Sequence, residues 1–208
     1  MKKIIILLLI SLFLGCGKEP AGNPSLSTLS QISNTPIYII GGQSNAMGIL
    51  NTVNGQVWNT VPTLFTNSSI ANGYAVGGTP ISYWLDTTNS QPLFNIVSNN
   101  CSLNSKVYFV WWQGEADSTQ NLFPFFYQNT LTFLNSVQAL CPSLKIIVMT
   151  IETAANPTTP AVLWIQQAQV ALPFLHYSAV GYPMQTDWLH LEPTSYQNLW
   201  NSLIQTYN

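Results

Sequence analysis

Pro36-Ile37-Tyr38-Ile39-Ile40-Gly41-Gly42-Gln43-Ser44-Asn45-Ala46-Met47-Gly48 is the stretch from which the rest of the chain can be read. Its first half is a short apolar, β-branched run, the pattern of a buried strand. Two glycines and a small polar cluster then turn the chain, and Ser44 falls on that turn. A helix following the turn would present the Ser44 hydroxyl at the carboxyl edge of a sheet, where open α/β sheets hold their ligands. Read locally, Ser44 or Asn45 could equally well cap that helix. To act as a nucleophile, Ser44 needs a base, an orienter for the base and an oxyanion hole.

Outward from this stretch, strands and helices alternate. Residues 70–76 hold a short second strand that runs into Gly77-Gly78, a second glycine turn. Residues 106–112 are apolar and aromatic throughout, a strong third strand, and stop at Gln113-Gly114-Glu115-Ala116-Asp117. Residues 145–151 read as a fourth strand and 177–181 as a weaker fifth. Helical patterning covers residues 93–97, 125–140 and 162–172, and a last helix from Pro193 turns Leu199, Trp200, Leu203 and Ile204 inward. Residues 51–69, rich in Asn and Thr, read as an irregular loop. The alternation predicts an α/β fold: a mostly parallel five-stranded sheet covered by helices on both faces, three layers in all. Every polar cluster follows a strand, so all of them share one edge.

The 208 residues suit one domain once an export segment is removed. Only 6% of them are charged, none is arginine, and the net charge is −2. No basic surface for nucleic acid can be built from five lysines, and that partner class is excluded. Met1-Lys2-Lys3 followed by apolar residues 4–14 has the form of a signal peptide, too short to span a bilayer permanently. It ends in Phe13-Leu14-Gly15-Cys16, which resembles a bacterial lipobox with Phe13 in place of the usual aliphatic residue. Residues 17–35 then read as a flexible tether and 36–208 as the folded domain. The expectation is a protein exported to the cell envelope and touching membrane only through lipid on Cys16, with plain secretion as the alternative.

Of the two histidines, His176 opens an apolar strand at the edge opposite the glycine turns and reads as structural. His190 lies in Asp187-Trp188-Leu189-His190-Leu191-Glu192-Pro193, just before the last helix. The three-residue spacing lets one tight turn bring the Asp187 carboxylate to the imidazole, fixing its tautomer and stabilising the imidazolium. A capping role for Asp187 in that turn is the simpler alternative.

Gly42-Gln43-Ser44-Asn45, Gly77-Gly78-Thr79-Pro80-Ile81-Ser82-Tyr83-Trp84, Trp112-Gln113-Gly114-Glu115-Ala116-Asp117 and Asp187-Trp188-Leu189-His190 occur in that order. Together they resemble the sialate O-acetylesterase-like branch of the SGNH hydrolases, which includes carbohydrate acetyl esterases. The resemblance implies a flavodoxin-like three-layer α/β/α fold and no cofactor or metal. It makes Ser44 the nucleophile, His190 the general base and Asp187 its orienter. The backbone N–H groups of Ser44 and Gly78 and the side-chain amide of Gln113 would form the oxyanion hole, glycine at 78 permitting close backbone approach. Ala46 departs from the methionine common in that family after the asparagine.

Glu115 and Asp117 could be read as a glycosidase acid/base pair, but residues two apart would hold their carboxylates close together. Bracing of the loop that presents Gln113 is the favoured role for Glu115. Trp188, between the triad candidates, is a candidate sugar-stacking surface. The implied activity is removal of O-acetyl groups from carbohydrate, and the lack of arginine disfavours anionic sialic acid. A lipase or thioesterase, and a non-catalytic glycan-binding lipoprotein, are the rival readings. With Cys16 assigned to lipid, Cys101 and Cys141 are left as an expected disulfide at the amino-terminal edge, two free thiols being the alternative.

Overall fold

A computed structural model describes residues 35–56, 62–66, 70–104, 106–120, 122–151, 160–187 and 189–207. The signal-peptide reading, Cys16 and Trp188 lie outside these residues. The sheet is built from β1 (Ile37–Gly42), β2 (Thr63–Phe65), β3 (Ala71–Ala75), β4 (Val107–Trp112), β5 (Lys145–Thr150) and β6 (Leu175–Ser178). Helices are α1 (Ser44–Val53), α2 (Ile81–Leu85), α3 (Thr87–Leu103), α4 (Glu115–Thr119), α5 (Phe126–Leu140), α6 (Pro160–Ala171) and α7 (Pro193–Tyr207).

The strands lie in the order β2-β3-β1-β4-β5-β6. All neighbours are parallel except β2, which pairs antiparallel with β3 in the register Thr63↔Ala75. The sheet thus has six strands where the sequence predicts five. The extra strand, β2, falls within the stretch read as a loop, because three residues are too few to show alternation. The stretch around α3 also differs, because the predicted helix of residues 93–97 extends to 17 residues. Its polar surface hid it, and only Leu93, Ile96 and Val97 supply the buried apolar stripe.

From β1 the chain first steps outward to β3, then crosses back to β4 on the other side. Right-handed crossovers therefore put α1 and α3 on opposite faces. α7 packs beside α1, whereas α5 packs against α2, α3 and α6, which completes three layers. All six residues of β4 are buried, as a central parallel strand covered on both faces requires. Trp111 packs on Phe133 from α5 with ring centroids 4.6 Å apart. Tyr38 stacks on Tyr108 at 5.1 Å, with Trp200 from α7 edge-on against it.

The reversal of strand order at β1 opens a crevice at the carboxyl ends of β1, β3 and β4, where such sheets bind ligands. Gly42 makes the tight junction there possible. Its φ is +135°, and a Cβ would lie 1.9 Å from the Trp112 carbonyl oxygen. Without one, Gln43 N–H donates to Trp112 O and Val76 N–H to Gly42 O, both at 3.0 Å. At the opposite edge, Cys101 near the end of α3 and Cys141 just after α5 form a disulfide with Cα atoms 5.8 Å apart.

Candidate active site

Gln43, not Ser44 or Asn45, is the N-cap of α1, and its side chain makes no capping bond. Ser44 is therefore the first helical residue. The leading N–H groups of a helix have no intrahelical acceptor and carry the positive end of its dipole. A cavity of about 480 Å³ opens at this end, lined by Ser44, Gly78, Glu115, Gln120, Asp187 and His190 among others. Four stretches, the connections β1 to α1, β3 to α2 and β6 to α7 and the helix α4 that follows β4, thus bring residues from far apart in sequence to one place.

Within the last connection, His190 Nδ1 lies 2.6 Å from Asp187 Oδ2. The other carboxylate oxygen accepts the backbone N–H groups of Leu189 and His190, both at 3.0 Å, so one tight turn aims the acid at the ring. Burial pushes the Asp187 carboxyl up, but the His190 ring and these two N–H groups prevail and hold it below its ordinary value. The turn is tied down by Gln185 N–H donating to His190 O at 2.8 Å. A bridge between Met184 and Leu191 closes its base. A carboxylate held at Nδ1 favours the tautomer that carries its proton there.

Gly78 adopts φ +69°, a region that favours glycine, yet a Cβ there would meet nothing within 4 Å. This backbone conformation by itself calls for glycine. Gln113 does not line the cavity. Its side chain is fully buried behind it, where Nε2 donates to Thr79 O at 2.6 Å and to Asp117 Oδ2 at 3.1 Å. Its amide, which the resemblance assigns to the oxyanion hole, is thus committed inward, to the carbonyl of the residue that directly follows Gly78. Asp117 completes the arrangement by accepting Ile81 N–H at the start of α2. Burial raises the Asp117 carboxyl above its ordinary range, against the bonds from Gln113 and Ile81.

Besides backbone at its own position, the Glu115 carboxylate accepts side-chain amides from the β1–α1 turn, Gln43 Nε2 and, at 2.7 Å, Asn45 Nδ2. Burial raises its carboxyl above the ordinary range, opposed by Asn45, Gln43 and the nearby His190. The two carboxylates point to different partners and form no acid/base pair. His176 sits in β6, with its Nε2 against Leu172 O at 3.0 Å, in line with a structural role.

Sequence reasoning missed Asn45 and Tyr196. The Asn45 amide donates to Leu189 O at 3.1 Å as well as to Glu115, and its oxygen accepts Tyr196 Oη at 2.7 Å and Leu191 N at 3.4 Å. The helix that starts at Ser44 is thereby fastened to both neighbours of His190. No local signal in the sequence marks Asn45 for this, since its partners lie up to 151 residues away. Among the described residues no cluster of three His, Cys, Asp or Glu side chains could hold a metal.

The model of the family described as carbohydrate esterase, sialic acid-specific acetylesterase, matches residues 73–208, more than half of the chain. The chain belongs to this family. The match takes in Gly78, Gln113, Asp187 and His190 but begins after Ser44. No curated protein sequence matches the chain. A protein of Arabidopsis thaliana is similar in structure at 18% identity and TM-score 0.63, over 84% of this chain and 98% of its own. A lipolytic G-D-S-L family member from Veillonella parvula matches at 11% identity and TM-score 0.52, over 83% and 98%. A peptidoglycan O-acetylesterase matches at 13% identity and TM-score 0.53, over 66% of this chain and 45% of that one. At these identities the likeness is one of fold, the α/β fold of the SGNH hydrolases.

Proposed function

We propose that this family member is a serine esterase that removes O-acetyl groups from carbohydrate, with Ser44, His190 and Asp187 as its triad. The observation that carries the reading is the 2.6 Å contact between His190 Nδ1 and the Asp187 carboxylate, in a cavity that Ser44 also lines. Ser44 Oγ attacks the acetyl carbonyl while His190 Nε2 takes its proton. The oxyanion that forms lies against the N–H groups of Ser44 and Gly78, at the positive end of α1. Collapse breaks the bond to the sugar oxygen, which leaves with the proton from His190. Water, deprotonated by His190, then attacks acetyl-Ser44 and releases acetate. Asp187 keeps the imidazole aligned through both halves.

The substrate favoured is a neutral acetylated sugar, because the chain has no arginine to pair with a carboxylate in the substrate. The same proposal places the enzyme outside the cytoplasm, held to membrane through lipid on Cys16. Its support is the sequence of residues 1–16.

Acetate release from a panel of acetylated polysaccharides, beside acetyl and long-chain esters of one chromophore, tests the activity. Ser44→Ala should lower kcat by roughly 10³-fold or more and abolish labelling by a fluorophosphonate. A folded Ser44→Ala protein with near-full activity would sink the triad. Loss of metabolic lipid labelling in Cys16→Ala tests the anchor.

A further inference from the structure

Aromatic side chains are plentiful in this chain, and among the described residues nearly all are buried or half-buried. Among the described residues only Phe125, Tyr127 and Trp164 are exposed, at 69%, 37% and 59%. They gather in one region. Trp164 of α6 and Tyr127 of α5 line a groove of about 510 Å³ with Pro124, Gln167, Ala168 and Ala171. Pro124 and Phe125 belong to the 3₁₀ turn Phe123–Phe125 that leads into α5. Exposed Leu163, at 43%, lies next to Trp164 along α6. A contiguous exposed apolar patch with polar groups at hand marks a binding surface.

We propose that this groove binds sugar units of a neutral polysaccharide beside the unit being deacetylated, an inference that rests on the esterase reading above. Two features select this occupant. Among the described residues no charged side chain lines the groove, which offers two aromatic faces, a proline ring and the Gln167 amide. Such a surface matches a pyranose, whose C–H face packs on an aromatic ring while its hydroxyls reach an amide. The second feature is continuity with the reaction site. Thr119 and Gln120, at the end of α4, line the catalytic cavity. Pro124 follows Gln120 by four residues, a span of at most about 14 Å even when fully extended. α6 packs against both α4 and the 3₁₀ turn, so one helix backs the whole path. A sugar polymer with an acetyl group at Ser44 can therefore extend along α4 and lie across Trp164 and Tyr127.

The test compares substrates of different length in the mature protein and in Trp164→Ala, Tyr127→Ala and Trp164→Phe. For acetylated oligosaccharides long enough to reach the groove, Trp164→Ala should raise KM by about tenfold or more. Its kcat should stay within about twofold, and kcat/KM on a small acetyl ester should not move. Trp164→Phe should recover most of the KM. Thermal unfolding of each variant checks the fold, and exposure of Trp164 makes loss of folding an unexpected outcome. Equal KM values for wild type and Trp164→Ala on a polymer that the wild type deacetylates would overturn the groove and leave the esterase reading standing. Wild type that hydrolyses small esters but no acetylated carbohydrate would overturn both. Sedimentation supplies the remaining outcome: a wild-type dimer that dissociates in Trp164→Ala would assign the patch to a second copy of the chain and refute sugar binding.

Discussion

Replacement of Asn45 by alanine probes how Ser44 and His190 are kept in register. The side chain is 1% exposed and makes three bonds of 3.1 Å or less, to Glu115, Leu189 and Tyr196, besides a longer one from Leu191. A typical internal hydrogen bond is worth about 1 kcal/mol, one to a charged group about 1.5–3 kcal/mol. Loss of the set should cost roughly 3–5 kcal/mol, well beyond the ~1 kcal/mol of an average substitution. Urea unfolding measures that loss. Activity should fall for a separate reason, because Leu189 and Leu191 flank His190 and their release lets the imidazole drift from Ser44. Misplacement on the order of 1 Å costs about 10²-fold. The drop should appear in kcat on a small acetyl ester, at a temperature where the variant remains folded. Asn45→Asp sharpens the argument. It keeps the acceptor for Tyr196 but sets a second carboxylate against Glu115, and two such groups resist ionising together. Its stability defect should be largest near neutral pH and shrink on acidification. A folded Asn45→Ala protein with wild-type kcat, or one destabilised by less than about 1 kcal/mol, would refute the clamp.

Asp187→Asn should lower kcat by roughly 10³-fold while leaving the fold intact, and an unchanged kcat would remove Asp187 from the triad. Glu115, whose carboxyl is raised above its ordinary value of 4.5, holds a proton more tightly folded than unfolded. Its contribution therefore grows as pH falls towards 4.5 and is lost as pH rises through the folded value. Urea unfolding across that window should show a weaker pH dependence in Glu115→Gln, and an identical slope would contradict the assignment. Removing the disulfide with Cys101→Ala and Cys141→Ala opens a loop of 40 residues. Stability should drop by up to about 4 kcal/mol from loop entropy. Activity of the folded protein should be untouched, since the bond lies at the edge opposite Ser44.

By itself, the sequence determined whatever depends on near neighbours or on long apolar runs. Burial of β4 on both faces forces six consecutive apolar residues, and strands of that kind alternating with helices leave little choice but a parallel sheet with its polar turns at one edge. Asp187 and His190 were legible as a pair because three residues in a tight turn suffice to join them. The cysteines were legible because each stands ahead of a strand, and those strands are neighbours. Tertiary structure alone decided where the buried amides and carboxylates point. Gln113 directly follows β4 as expected, yet the Thr79 carbonyl and Asp117 draw its amide away from the cavity. Glu115 and Asn45 meet across 70 residues, and Asn45 and Tyr196 across 151. A polar group sealed from water must find a partner wherever the fold supplies one, and which partner that is depends on packing that no local pattern encodes.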